Sequence, residues 1–165
     1  MVIGIRREDK NEWEARTPLT PEHVKNLSKN HPVKFIVQPS RIRAFRDGEY
    51  REAGAEIKED LNECDLILAV KEIPARLLLP SKKYLFFSHT VKGQKYNLPM
   101  LKQLVTLKNT LIDYERITDE NGRRLVFFGR YAGIAGMIDT FWALGQRLAL
   151  EGYVTPLAEV RRALD

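Results

Sequence analysis

One cysteine, three histidines and no apolar run of membrane length narrow what this 165-residue chain can be. A single thiol, Cys64, makes no internal disulfide, and just ahead of an apolar strand it reads as a buried structural residue. His23, His31 and His89 lack metal-ligand spacing, and there is no Cys-x-x-Cys pair, so no metal is expected. No stretch reaches the roughly 18 apolar residues of a membrane span. The opening Met-Val-Ile-Gly-Ile-Arg-Arg is too short and too quickly charged for a secretory signal. A Walker loop and a Gly-x-Ser-x-Gly nucleophile elbow are both absent. The net charge of +5 is scattered over Arg6-Arg7, Arg41/Arg43/Arg46, Lys82-Lys83, Arg123-Arg124 and Arg161-Arg162. With no basic stripe interleaved with aromatics, nucleic acid is not the expected partner. The chain reads as cytoplasmic.

What is present is enough apolar residue, 44%, for a proper core, in short runs that alternate with helical segments. Val2–Arg6, Val33–Val37, Asp65–Val70, Tyr84–Ser88 and Thr110–Tyr114 read as strands. Asp65–Val70 is continuously apolar and is expected at the centre of a sheet covered on both faces. Thr20-Pro21-Glu22 is a helix start: an N-cap threonine, proline at the first helical position, an acid in the first turn. Asp47 is expected to cap a short helix that stops at Gly54. Leu98–Leu107 reads as a helix with Leu98, Leu101, Leu104 and Val105 inward. Asn121-Gly122 predicts a hairpin returning through Arg124–Phe128. Tyr131–Leu150 predicts a long helix in which Gly133 and Gly136 let another backbone approach. Thr155-Pro156 begins a short helix that runs to Asp165. Strands spaced by helices predict an α/β fold: an open, mostly parallel twisted sheet with helices on both faces.

In such a sheet ligands bind beyond the C-terminal ends of the strands. That rule selects Arg7–Arg16, Lys71-Glu72 and Ser88-His89. A lysine at the end of a buried strand is a proton carrier when desolvated, and plainly a snorkelling side chain otherwise. His89 is suited to proton transfer near neutral pH, though a lone histidine there is often structural. Arg16 can hold a carboxylate bidentately, or simply pair with Glu12 or Glu14. Glu115 with Arg123-Arg124 reads either as a charged rim for an amino-dicarboxylic substrate or as a solvated hairpin. The glycines of Gly129–Gly136 do not have the dinucleotide spacing of Gly-x-Gly-x-x-Gly and continue as helix, so they are read as packing sites.

Several segments together carry a family resemblance. They are Arg6-Arg-Glu-Asp9, Trp13-Glu-Ala-Arg-Thr-Pro-Leu-Thr-Pro21, Tyr50-Arg-Glu-Ala-Gly-Ala55 and Leu68-Ala-Val-Lys-Glu72. With them go Phe86-Phe-Ser-His-Thr-Val-Lys92, Ile112-Asp-Tyr-Glu115 and Gly122-Arg-Arg124 through Phe128–Gly136. Over nearly the whole chain the sequence resembles the N-terminal domain shared by saccharopine dehydrogenases and lysine–2-oxoglutarate reductases. The same Rossmann-like domain type occurs in alanine dehydrogenase and the transhydrogenase α-subunit. The resemblance implies a substrate-side catalytic domain at 1–150 and, at 151–165, the start of a linker to a nucleotide-binding domain. It implies a reaction joining the ε-amine of lysine to 2-oxoglutarate and reducing the imine to saccharopine, or the reverse. The cofactor implied is NAD or NADP, bound by a C-terminal domain absent from this chain and supplied in cis or in trans. The chain alone is expected to be inactive and could self-associate as a homo-oligomer. By position, Lys71 and His89 match the family's acid–base pair and Arg16 a substrate-carboxylate ligand. Lys92, Glu115 and Arg124 match positions around the substrate. Two other readings remain: an alanine dehydrogenase-type domain, and a non-catalytic amino-acid-binding module.

Overall fold

A computed structural model describes the backbone of every residue except Lys92 and Asp165, and the side chains of all the others up to Arg161. The chain forms two compact units, Met1–Val126 and Phe127–Asp165.

The first unit holds six strands, β1 (Val2–Ile5), β2 (Lys34–Val37), β3 (Glu56–Ile57), β4 (Leu66–Leu68), β5 (Lys83–Phe86) and β6 (Thr110–Asp113). They form one sheet in the order β3-β2-β1-β4-β5-β6, every pair parallel. The open, parallel α/β sheet expected from the strand–helix alternation is therefore present. The chain winds outward from β1 to β3, then returns to lay β4 against the other side of β1. The β1–β4 junction is the topological switch point, where loops diverge and leave a crevice. β4 is central, as its unbroken apolar run requires.

Two helices cover one face. Helix α1 (Pro21–Asn30) begins at Thr20, whose hydroxyl accepts from the His23 N–H at 3.3 Å. Val24 and the Tyr50 ring of α2 (Asp47–Glu52) bury against Ile3, Ile5, Phe35, Val37 and Leu68. The Tyr50 hydroxyl donates to the Leu19 carbonyl at 2.6 Å, so even this buried phenol is satisfied. The opposite face packs Ile67, Tyr84 and Phe86 under Leu61, Cys64, Ile73, Leu78 and α3 (Leu98–Thr106). Gly4 in β1 admits Cys64: a Cβ at position 4 would stand 3.0 Å from its sulfur.

Local differences from the sequence expectations have physical causes. β3 escapes sequence reading because two residues hold no period. Arg46, not Asp47, is the cap of α2; its N–H donates to Glu49, while Asp47 receives the Ser40 N–H and the Arg43 guanidinium. Helix α3 buries Met100 and Leu104, leaving Leu98 and Val105 exposed. Leu104 is buried as expected, but the helix is turned so that Met100, and not Leu98 or Val105, joins it in the core. The Asn-Gly turn forms with Gly122 at φ +76°, but only a single bridge, Thr118 to Arg124, follows it. Arg124–Phe128 is not a strand.

The second unit is α4 (Gly129–Leu150) with a 3-10 segment, Pro156–Leu164, folded back on it. The Arg161 guanidinium lies over the Trp142 ring at 3.9 Å and pairs with Asp139 at 2.8 Å. Gly133 and Gly136, expected as packing sites, face open space. The close approach is at Gly145, where a Cβ would meet the Ala158 nitrogen at 2.3 Å. No helix among the described residues is long and apolar enough to cross a membrane.

Candidate active site

The crevice at the switch point is bridged by one carboxylate. Glu8, just past β1, is 7% exposed. Its two oxygens accept the N–H groups of Val70 at 2.6 Å and Lys71 at 2.9 Å, just past β4. Those two donors lie beyond the last residue of the strand, so the side chain continues the hydrogen bonding that the ladder has stopped supplying. Burial pushes the Glu8 carboxyl above its ordinary range, and the two backbone donors only partly offset it.

Lys71 therefore stands on a backbone whose N–H is held by Glu8, and the Val70 carbonyl just before it accepts from the Phe87 N–H at 3.1 Å. Its side chain is half-buried rather than sealed, and its charge is felt by Glu14. Glu14 holds Arg16 bidentately, with Nε at 2.7 Å from one oxygen and a terminal nitrogen on the other. That fork holds the Glu14 carboxyl below its usual range, burial opposing it. Arg16 thus takes the plain pairing with Glu14 while its outer side stays exposed.

The next residue, Glu72, reaches the β5 loop. One oxygen meets His89 Nδ1 at 2.9 Å and the other pairs with Lys10. Burial works against ionisation of Glu72, but Lys10, its own backbone N–H and His89 outweigh it, and the carboxyl sits below its usual range. An ionised Glu72 makes Nδ1 the protonated nitrogen of a neutral His89 and leaves Nε2 as the acceptor. The Lys10 ammonium also lies 5.7 Å from the centre of the Tyr96 ring.

His89 adopts φ +50°, the left-handed region that a histidine enters at a cost of about 1–3 kcal/mol. Its ring lies parallel to Phe87, centroids 6.3 Å apart, and Phe87 in turn meets Tyr114 at 4.9 Å. Burial, then the nearby Glu8 charge, pushes the Tyr114 phenol up to about 12, so it stays neutral. Glu115 follows Tyr114 and faces Arg124 at 3.4 Å. The structure thus brings Lys71, His89, Arg16, Glu115 and Arg124 to the strand-end side of one unit, linked through Glu8, Glu14, Glu72 and the Phe87–Tyr114 pair. Lys92 lies outside the described residues.

Sequence reasoning passed over Glu8, Lys10 and Glu14 as site residues. Glu8 carries a usable signal, an acid in the loop just past a buried strand. Lys10 and Glu14 sit in the loop singled out for Arg16, where Glu14 is expected only as a partner of that arginine.

The fold and site define an open parallel α/β domain with paired acids and bases at its switch point. The chain belongs to the alanine dehydrogenase/PNT N-terminal domain family, whose profile matches residues 4–135. It is 44% identical over 160 residues to alpha-aminoadipic semialdehyde synthase of Arabidopsis thaliana, covering 94% of this chain and 15% of that protein. The mitochondrial enzyme of the same name from Bos taurus is 44% identical over 162 residues, 98% of this chain and 17% of its own length. Saccharopine dehydrogenase [NAD(+), L-lysine-forming] of Yarrowia lipolytica is 32% identical over 152 residues, covering 87% and 40%. The chain thus spans less than half of each of these relatives. An L-alanine dehydrogenase structure superimposes with a TM-score of 0.62 at 23% identity, over 74% of this chain and 34% of that one. At that identity the likeness concerns the fold.

Proposed function

We propose that this chain is the substrate-side part of a saccharopine-type dehydrogenase, with Lys71 and His89 as its acid–base pair. The observation that supports this reading most is the Lys71-Glu72 step. It places an amine on a clamped backbone next to the carboxylate that fixes the tautomer of His89. The substrate chemistry fits. Condensing an ε-amine with a 2-oxo acid forms a C–N bond and moves one proton from nitrogen to the new hydroxyl. Dehydration then expels that oxygen as water, which needs a second proton at the same oxygen. Two protonatable groups at neighbouring strand ends, one a lysine and one a histidine whose Nδ1 is held by Glu72, can serve those two transfers. Arg16 and Arg124 are carried as carboxylate ligands, Glu115 as an acceptor for an ammonium, and Lys92 as a further cation at the substrate. Saccharopine carries three carboxylates and two amines, so a site with both signs of charge suits it.

Among the described residues, the glycine cluster at 129–136 does not fit a nicotinamide dinucleotide. Gly129, Gly133 and Gly136 lie within α4, not in a strand-to-helix turn, and so form no pyrophosphate cradle. NAD or NADP would be held by a separate nucleotide-binding domain, in cis or in trans, with 151–165 leading toward it. Residues 1–150 would serve the substrate.

The test is turnover of lysine plus 2-oxoglutarate with NADH and with NADPH, using the chain joined to a nucleotide-binding domain. Lys71→Met and His89→Gln should each lower kcat/KM at least about tenfold. Turnover with pyruvate and ammonia but not with lysine would move the assignment to an alanine dehydrogenase type. Amino-acid binding without turnover in either assay would leave a binding module.

A further inference from the structure

The acid–base reading needs His89 to keep one orientation, and the chain holds it in a backbone conformation that a histidine does not choose by itself. We infer that Asn97 is the positioning residue for His89, gripping the peptide groups on both sides of it. This inference rests on the reading of His89 as an acid–base group; the geometry that carries it does not.

Asn97 is 5% exposed and sits just ahead of α3. Its Nδ2 donates to the Ser88 carbonyl at 2.9 Å and to the His89 carbonyl at 3.5 Å. A side-chain amide carries two N–H donors on one nitrogen, so one group can serve both carbonyls. The first carbonyl belongs to the peptide that precedes the His89 Cα and the second to the peptide that follows it. Holding both peptides fixes the two soft rotations at that residue, φ and ψ, together. Positive φ at His89 is what this grip produces.

Two further observations separate this role from ordinary packing. Asparagine is among the best helix N-caps because its side-chain oxygen accepts from the first turn. Asn97 makes no such bond to α3, and its backbone is already helical at φ −96°, ψ −3°. Its amide is spent on the histidine turn instead. The residues flanking His89 are held as well. The Ser88 hydroxyl bonds to Asp113 and contacts Thr90 Oγ1 at 2.7 Å, and the Thr90 N–H donates to Ser88 Oγ at 3.2 Å. Asn97 is the member of this network that touches His89 itself. With the backbone turned this way, Nδ1 meets Glu72 and Nε2 is left for substrate.

The experiment uses the 165-residue chain uniformly labelled with nitrogen-15 and carbon-13. His23 and His31 are internal controls: His23 belongs to the cap of α1, away from this turn. Asn97→Asp keeps the shape and removes the donor; Asn97→Ala removes the side chain. In the wild type, neutral His89 is expected as the Nδ1–H tautomer, with the short amide-to-Hα distance of a positive φ. In Asn97→Asp both signatures should be lost, with His89 passing to a tautomer mixture while His23 and His31 keep their wild-type signals. A folded Asn97→Asp chain that retains the tautomer and the positive φ overturns the inference. Should neither variant fold, the wild type still decides. Scalar coupling across the hydrogen bond from Asn97 Nδ2 to the Ser88 carbonyl supports the grip, and its absence overturns it. The two readings fail separately. A His89→Gln enzyme with full turnover ends the acid–base assignment, whereas the grip is judged on the spectra of the wild-type and Asn97-variant chains alone.

Discussion

Glu8 offers the sharpest test of how the site is held, because its two oxygens do separable work. In Glu8→Gln one oxygen still accepts and the other becomes an NH2 group facing a backbone N–H. One buried donor is orphaned and two donors oppose each other. An unsatisfied buried polar group costs about 1–3 kcal/mol, and a glutamine in this space gains little elsewhere, so the loss should be about 1–3 kcal/mol. Glu8→Ala orphans both the Val70 and Lys71 donors, which stand 2.6 and 2.9 Å from the carboxylate. Twice the unit cost, less the relief of no longer burying a charge and less any water that enters, gives about 2–4 kcal/mol. The assay is urea unfolding at neutral pH, with amide exchange at Val70 and Lys71 as the local report. Glu8→Ala should lower the midpoint more than Glu8→Gln, and exchange should quicken at those two amides first. Both variants within about 0.5 kcal/mol of wild type, with unchanged exchange, would refute the clamp.

Acid unfolding should separate the carboxylates by sign. Glu14 and Glu72 are held below their unfolded values, so they bind fewer protons folded than unfolded and their stabilisation is lost as pH falls through the unfolded and then the folded value. Glu8 is raised, so its ionisation costs stability as pH climbs; Glu14→Gln should flatten the acid limb of stability against pH, and Glu8→Gln should not. The Cys64 thiol is buried and pushed up to about 11, so a thiol reagent at pH 8 should leave the native chain untouched and label it at the rate of unfolding. In the second unit, Gly133→Ala enters open space inside a helix and should raise thermal stability by about 0.5–1 kcal/mol. Gly145→Ala should strip the Pro156–Leu164 segment from α4, seen as the loss of the Arg161 contact in Trp142 fluorescence.

The sheet was legible because its strands are short unbroken apolar runs separated by helix starts with real capping chemistry. Thr20-Pro21 and the Asp65–Val70 run are examples, and both stand where they were expected. The strand-end rule picks out Lys71, Glu72 and His89 from the sequence, and all three lie just past β4 and β5. What was not legible is pairing. Whether Arg16 faces Glu12 or Glu14, which row of α3 goes inward, and which glycine meets a backbone are decided by long-range packing. In each case the local pattern offers near-equivalent choices. Gly133 and Gly145 look alike in sequence, and only the return of residues 156–164 distinguishes them.

The site also shows why acids were harder to place than bases. A lone lysine or histidine at a strand end invites a chemical reading, whereas a glutamate in a polar loop reads as solvated. Yet each base here is set by an acid that the strands bring to it from elsewhere in the chain. Glu8 fixes the Lys71 backbone across the β1–β4 junction, and Glu72 fixes the His89 ring across β4–β5. Parallel neighbours make this possible, because their C-terminal ends lie side by side and each loop leaves in the same direction. An acid one strand over is then within hydrogen-bond reach although it is 17 to 63 residues away in sequence. The position of these acids relative to the strand ends, more than their number, is therefore the feature to look for in related chains.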